Sequence, residues 1–243
     1  MIFMQDKYEM INMTRDEIKD SFKKTSVAVL PIGALEQHGH HLPLGTDIII
    51  AEELGRRVCK ETEALLLPAI PFGYSWVWRN IPGTITLKQH NVEEIIKDTA
   101  SSLDRYGVKN LIVINGHDAN NASMKYAARE LEDEIGIKVI YIFYPDMNEV
   151  MKEIMESDTW YGLIHACEFE TSLMLAINPE LVNMDKAVKE YPDKPLLYGK
   201  STISLGDLSK SGVYGDSTRA TQEKGEKLLN IFTKKIVDII KAL

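Results

Sequence analysis

Three of the chain's six histidines fall in one loop, Gly33-Ala34-Leu35-Glu36-Gln37-His38-Gly39-His40-His41-Leu42-Pro43-Leu44-Gly45-Thr46-Asp47, together with two acids. The loop directly follows the apolar run 25–32, which reads as a buried strand. Imidazole and carboxylate groups in a short loop at a strand end suit a divalent metal ion, so metal-assisted hydrolysis is the leading chemistry. Glu36 and His38 are two apart, so in extended backbone both side chains point the same way and can reach one centre. Asp47 follows a Gly45-Thr46 turn and opens the next helix, where it either caps the helix or offers its oxygens to metal. His117 follows Val113-Ile114-Asn115-Gly116, a strand ending in a glycine turn. Two oxygen and two imidazole ligands suit zinc, manganese or iron(II), and the set alone does not choose among them.

Other polar groups carry weaker signals. His40 and His41 either support a ligand from behind or face solvent. His90, just before an amphipathic stretch, reads as a surface or rim residue. Trp76 and Trp78 form either a pocket wall or a subunit contact. In the stretch Tyr161–Ser172, Glu168 and Glu170 have an ordinary reading as first-turn helix acids. The apolar setting of Cys167 and the two acids near it should raise its pKa, which argues against a cysteine nucleophile. No G-x-S-x-G elbow, P-loop or G-x-G-x-x-G is present, so serine hydrolase, nucleotidase and dinucleotide readings lose their main support.

The elements that must position these residues alternate along the chain. Strands are expected over 26–32, 64–70, 110–115 and 138–143, apolar on both faces as buried parallel strands are. Helices are expected over 48–60, 92–106, 120–134, 146–156, 168–177 and 218–242. The last shows Leu228, Leu229, Phe232, Ile236 and Ile239 as a packing stripe. This order predicts a single α/β domain, a three-layer α/β/α doubly wound and mostly parallel sheet, with ligands at the carboxyl ends of the strands. The loops starting at Gly33, Pro71, Gly116 and Pro145 then face one cleft, which the His165 segment closes from the side. The glycine-rich stretch 193–215 reads as a long functional or oligomer-contact loop.

Composition narrows the classes. The chain has 243 residues, 44% hydrophobic and 26% charged, with a net charge of −8. That balance argues against a nucleic-acid partner, which needs a basic surface. No apolar run is long enough for a membrane span, and segment 1–6 has no signal-peptide character. Cys59 and Cys167 lack CxxC spacing, which excludes cysteine-rich structural zinc, leaves a disulfide as the weaker reading and points to the cytoplasm.

With these residues assembled, the chain resembles the creatininase (creatinine amidohydrolase) family. The matching motifs are 33–41 through Asp47, Pro82-Gly83-Thr84, Asn115-Gly116-His117, Glu170-Thr171-Ser172-Leu173-Met174-Leu175-Ala176 and Ala220-Thr221-Gln222-Glu223-Lys224-Gly225-Glu226. They run from about residue 26 to 230 in the family's order. The resemblance implies a hydrolase with two divalent ions, zinc first and manganese or iron as the alternatives. Glu36, Asp47 and His117 would hold one ion, while His38 and the shared Asp47 hold the second. The family completes the second site with a glutamate where this chain has Ala119. Glu170 is then the substitute ligand and active-site acid, ahead of Asp118. His165 matches the family's proton-shuttling histidine.

The family's two pocket tryptophans correspond to Pro145 and Tyr161, with Trp160 adjacent, so creatinine itself is in doubt as substrate. The implied reaction is opening of a cyclic amide or cleavage of a related C–N bond in a small molecule. A formamide deformylase or sugar-ring hydrolase is the alternative within the family. A non-catalytic small-molecule-binding protein that lost its second metal is the alternative from another class. The resemblance also implies a homo-oligomer, commonly a hexamer.

Overall fold

Residues alternating along each central strand face two different helical layers, and this division organises the molecule. The computed structural model describes residues 8–243, and segment 1–6, with its expected lack of a leader, lies outside the described residues. In chain order the elements are α1 (Arg15–Ser21), β1 (Val27–Ile32), α2 (Thr46–Thr62), β2 (Leu65–Leu66), α3 (Gln89–Asp104) and β3 (Asn110–Asn115). They continue with α4 (Asn121–Leu131), β4 (Lys138–Ile142), α5 (Met147–Ile154), α6 (Glu168–Ile177), β5 (Lys189–Glu190), β6 (Gly215–Asp216) and α7 (Gln222–Lys241).

The main sheet has the order β2-β1-β3-β4 with every neighbouring pair parallel, and β5 and β6 form a separate antiparallel pair. Val29 of β1, Ile112 and Ile114 of β3 and Ile142 of β4 pack with Ile50 and Leu54 of α2, Phe169 of α6 and Phe232 of α7. Their neighbours Ala28, Leu30, Leu111, Val113 and Val139 pack on the other face with Ile96 of α3 and Met124 of α4. Each large side chain fully buried this way contributes roughly 1.5–3 kcal/mol. The fold is therefore the expected three-layer α/β/α arrangement around a parallel sheet. No helix among the described residues is long and apolar enough to cross a membrane.

Some boundaries differ for local reasons. The strand expected over 64–70 is only Leu65–Leu66, because Pro68 lacks the N–H that a ladder position needs; pairing resumes as a single bridge between Ile32 and Ile70. The last helix begins at Gln222, where the Thr221 hydroxyl accepts the Lys224 N–H, and a separate 3-10 turn spans Ser217–Arg219. The tryptophan segment forms a 3-10 turn at Trp76–Trp78.

β1 and β3 end together, with Ile32 opposite Asn115. From β1 the chain passes through α2 to β2 on one side, whereas β3 lies on the other. The carboxyl ends of β1 and β3 thus flank a topological switch point, where an open α/β sheet leaves a crevice.

Candidate metal centre

The first turn of α2 enters this crevice because two glycines make room for it. A Cβ on Gly33 would lie 2.5 Å from the Ile48 nitrogen, and one on Gly116 would lie 2.2 Å from the Asp47 carbonyl oxygen. Neither position tolerates a side chain while Asp47 stays in place. Gly45 occupies the N-cap without a side-chain bond, so the helix-capping role considered for Asp47 is not the one it takes. Its carboxylate, buried at 1% exposure, turns instead toward two histidines.

Both histidines are tied from behind. His38 Nδ1 lies 3.1 Å from the Glu36 carbonyl, to which it donates, leaving Nε2 to face Asp47 Oδ1, 2.9 Å away. His117 Nε2 lies 3.0 Å from the Tyr74 carbonyl, leaving Nδ1 to face Asp47 Oδ2 at 3.0 Å and Glu36 Oε1 at 3.5 Å. Asn115 holds the His117 backbone from both ends, accepting its N–H and donating to its carbonyl. An outer nitrogen engaged by a carbonyl and an inner nitrogen aimed at carboxylates is how a protein presents imidazole to metal.

The oxygens support the same fit. Glu36 Oε2 and Asp47 Oδ2 are buried without a hydrogen-bond partner, and His117 Nδ1 approaches Asp47 Oδ2 without hydrogen-bond alignment. Orphaned buried carboxylate oxygens are costly unless a cation satisfies them. Two ligand sets emerge, Glu36–Asp47–His117 and His38–Asp47–Glu170, each with its ligand atoms within 4.8 Å of one another. Asp47 belongs to both. A third grouping, Glu36–His38–His165, overlaps them.

The clustered groups shift one another's protonation. Burial pushes the Glu36 carboxyl up to about 7, with His117 opposing it. Burial likewise lifts Glu170 to about 7, against the pull of His38. Burial disfavours the His38 and His117 cations, yet Asp47 beside His38 and Glu36 with Asp47 beside His117 outweigh it and raise both to about 10. Burial also acts to raise Asp47, but the two imidazoles hold its carboxyl well below the usual carboxylate range.

Glu170 reaches the centre from the first turn of α6. Ala166, in the left-handed region at φ 50°, turns its N–H onto the Glu170 carboxylate in a short hydrogen bond. Glu170 Oε2 lies 3.9 Å from His38 Nε2. Asp118 is exposed and accepts from Asn121, so the structure does not bring it to the cluster. His165 stands beside these groups, with Nδ1 3.6 Å from Glu36 Oε1. Trp78 stacks on its ring at 4.3 Å and 23°, and His38 lies 4.5 Å away on a tilted plane. Burial, then the nearby His38 charge, holds the His165 pKa well below the usual histidine range.

The remaining polar groups separate clearly. His41 is buried with Nε2 2.8 Å from the Thr171 hydroxyl, a supporting place, while His40 and His90 are exposed. Of the tryptophan pair, Trp78 is buried and stacks on His165, whereas Trp76 carries the Arg79 guanidinium on its face. Burial pushes the Cys167 thiol up to about 12, and both cysteines are free. Glu168 is more than a first-turn acid. It is buried, accepts the Glu156 and Ser157 N–H groups, and pairs with Lys224 at 2.5 Å. Gln37 was not singled out by residue type, although it lies between two candidate ligands; its side chain reaches His165.

A family profile described as Creatininase: Creatinine amidohydrolase matches residues 11–240. A creatinine amidohydrolase from Pseudomonas putida is 31% identical, with 88% of each chain covered. A mycofactocin precursor peptide peptidase from Mycolicibacterium smegmatis is 26% identical over 88% of this chain and 84% of its own. The solved structure of a mutant creatininase of Zn–Zn type superposes with a TM-score of 0.85 at 27% identity, covering 97% of each chain. Fold, motifs and site thus lead to one conclusion: the chain belongs to the creatininase family of hydrolases.

Proposed function

We propose that this enzyme hydrolyses the C–N bond of a small amide, a cyclic amide first, using two divalent ions held by Glu36–Asp47–His117 and His38–Asp47–Glu170. The observation that carries the proposal is the membership of Asp47 in both ligand sets. Zinc is the first choice, since mixed imidazole and carboxylate ligands suit it and the Zn–Zn creatininase shares the fold. When bound, such ions supply an acidified water and a polarised carbonyl.

The chain's own residues do the rest. Glu170 takes the place left open by Ala119, steadied by the Ala166 N–H. His165, with Trp78 stacked on its ring and His38 beside it, gives the proton on Nδ1 to the leaving nitrogen and takes back at the same atom the proton released by the attacking water. Water oxygen joins the carbonyl carbon, the C–N bond breaks, and the amine leaves protonated. Trp78 covers one face of His165 and excludes bulk water from it.

The positions expected to wall a creatinine pocket are filled differently here. Tyr161, at one expected pocket position, is 62% exposed, and Trp160 is committed elsewhere through its indole N–H to the Pro192 carbonyl. Leu196 and Leu197, 89% and 55% exposed, support a homo-oligomer contact in the 193–215 loop. The test is a metal-reconstituted assay against lactams, formamides, short peptides and creatinine. Turnover of a lactam above creatinine supports the proposal; a protein carrying both ions that cleaves no C–N substrate refutes it.

A further inference from the structure

The residue between the two candidate ligands Glu36 and His38 is itself fully engaged. Gln37 is buried; its Oε1 accepts the Gly39 N–H at 2.9 Å, and its Nε2 donates to the Gly212 carbonyl at 3.1 Å. The same Nε2 lies 2.8 Å from His165 Nε2, and the Gln37 main-chain carbonyl lies 2.9 Å from that ring nitrogen. The two backbone partners decide which end of the amide is which. Turned over, Oε1 would face the Gly212 carbonyl and the NH2 would face the Gly39 N–H, two like-against-like contacts. The amide NH2 therefore points at His165.

At one nitrogen, His165 thus meets both a donor and an acceptor from the same residue. A carbonyl alone would lock the proton outward on Nε2, as the Tyr74 carbonyl does for His117. The added amide donor stabilises the other tautomer, in which the proton sits on Nδ1 and faces the centre.

We propose that Gln37 is the positioning residue of His165, holding the ring with Nδ1 toward Glu36 and keeping the Nδ1–H tautomer accessible. This rests on the reading that His165 moves the proton. The amide is held in turn by a strap. Glu190 accepts from the Ser209 hydroxyl and from the Lys210 and Ser211 N–H groups, while the Tyr214 N–H donates to the His165 carbonyl. Gly212, at φ 81°, leaves no space for a side chain, since a Cβ there would sit 1.9 Å from Gln37 Oε1.

The test compares the wild-type zinc enzyme with Gln37→Met, which removes the donor and keeps the main-chain carbonyl. The readouts are the ¹⁵N shifts of the His165 ring, zinc content, kcat and KM. The expected result is a shift toward the Nε2–H tautomer and a kcat lower by roughly 10–100-fold, with zinc content and KM unchanged. Gly212→Ala, whose methyl would collide with the amide and displace it, shifts the tautomer in the same direction and covers the case in which Gln37→Met does not fold. Ring shifts identical to wild type in a folded variant overturn the proposal. A shifted tautomer with unchanged kcat upholds the positioning by Gln37 and overturns instead the proton-carrying reading of His165.

Discussion

His38 Nε2 stands 2.9 Å from Asp47 Oδ1 while the ring's other nitrogen is tied to the Glu36 carbonyl. His117 meets the opposite oxygen of the same carboxylate at 3.0 Å, its own outer nitrogen tied to Tyr74. One aspartate therefore receives two imidazoles from two strand-end loops, brought within reach by the bare faces of Gly33 and Gly116. The predictions below follow from that meeting.

Glu170 belongs to the second ligand set, with His38 and Asp47. Glu170→Gln should lower metal content from about two ions per chain to about one. Activity should fall beyond the roughly 10–100-fold typical of losing an outer partner. Asp118→Asn, at an exposed carboxylate, should change neither quantity. Elemental analysis with steady-state kinetics decides, and the reverse pattern would transfer the role to Asp118.

The metal-free protein should lose stability as pH rises from about 7 to about 10. Folded-state pKa values near 10 for His38 and His117 exceed the ordinary 6.5, so their contribution is complete below 6.5 and lost as pH passes the folded values. Glu36 and Glu170, raised to about 7 from 4.5, act in the same direction at lower pH, their contribution being lost between about 4.5 and 7. Bound ions replace these protons, so the stabilisation by zinc should grow over the same interval. Thermal unfolding with and without zinc across that range measures both trends. A flat metal-free profile would contradict the buried charge cluster.

Gly116→Ala places a methyl 2.2 Å from the Asp47 carbonyl oxygen. Backbone gives way poorly, so the variant should lose about 1–3 kcal/mol or more and bind metal less tightly. Urea unfolding and metal titration check this; wild-type values in both would mean that α2 does not need its close approach.

Lys224→Met leaves the Glu168 carboxylate buried at 1% exposure without its ammonium partner. The cost should be about 3 kcal/mol, at the lower end for a buried pair, because the Glu156 and Ser157 N–H groups remain as donors. Urea unfolding of the two single variants and of Lys224→Met combined with Glu168→Gln measures the coupling. Additive losses would show that the pair is not a unit.

Much of this was legible from residue types and spacing. The apolar runs announced buried parallel strands, and parallel strands put their following loops at one edge, so Glu36, His38 and His117 had to gather there. The raised thiol pKa at Cys167 followed from its apolar setting. The roles of other residues depend on distant partners that local pattern does not encode. Asp47 also reads as a helix cap until the positions of Gly33 and Gly116 are known. Glu168 looks like an ordinary first-turn acid until α7 brings Lys224 against it. Gln37 carries no chemistry by type; its place follows from the approach of His165 and Gly212. Pro68 cut a strand that hydropathy alone extended.

The central claim is that Asp47 belongs to two ligand sets at once. Elemental analysis of the purified wild type and of Asp47→Asn, with circular dichroism to confirm folding, tests it most directly. The account predicts about two divalent ions per wild-type chain and loss of both in the folded variant. A folded Asp47→Asn protein that keeps its full metal content would contradict it.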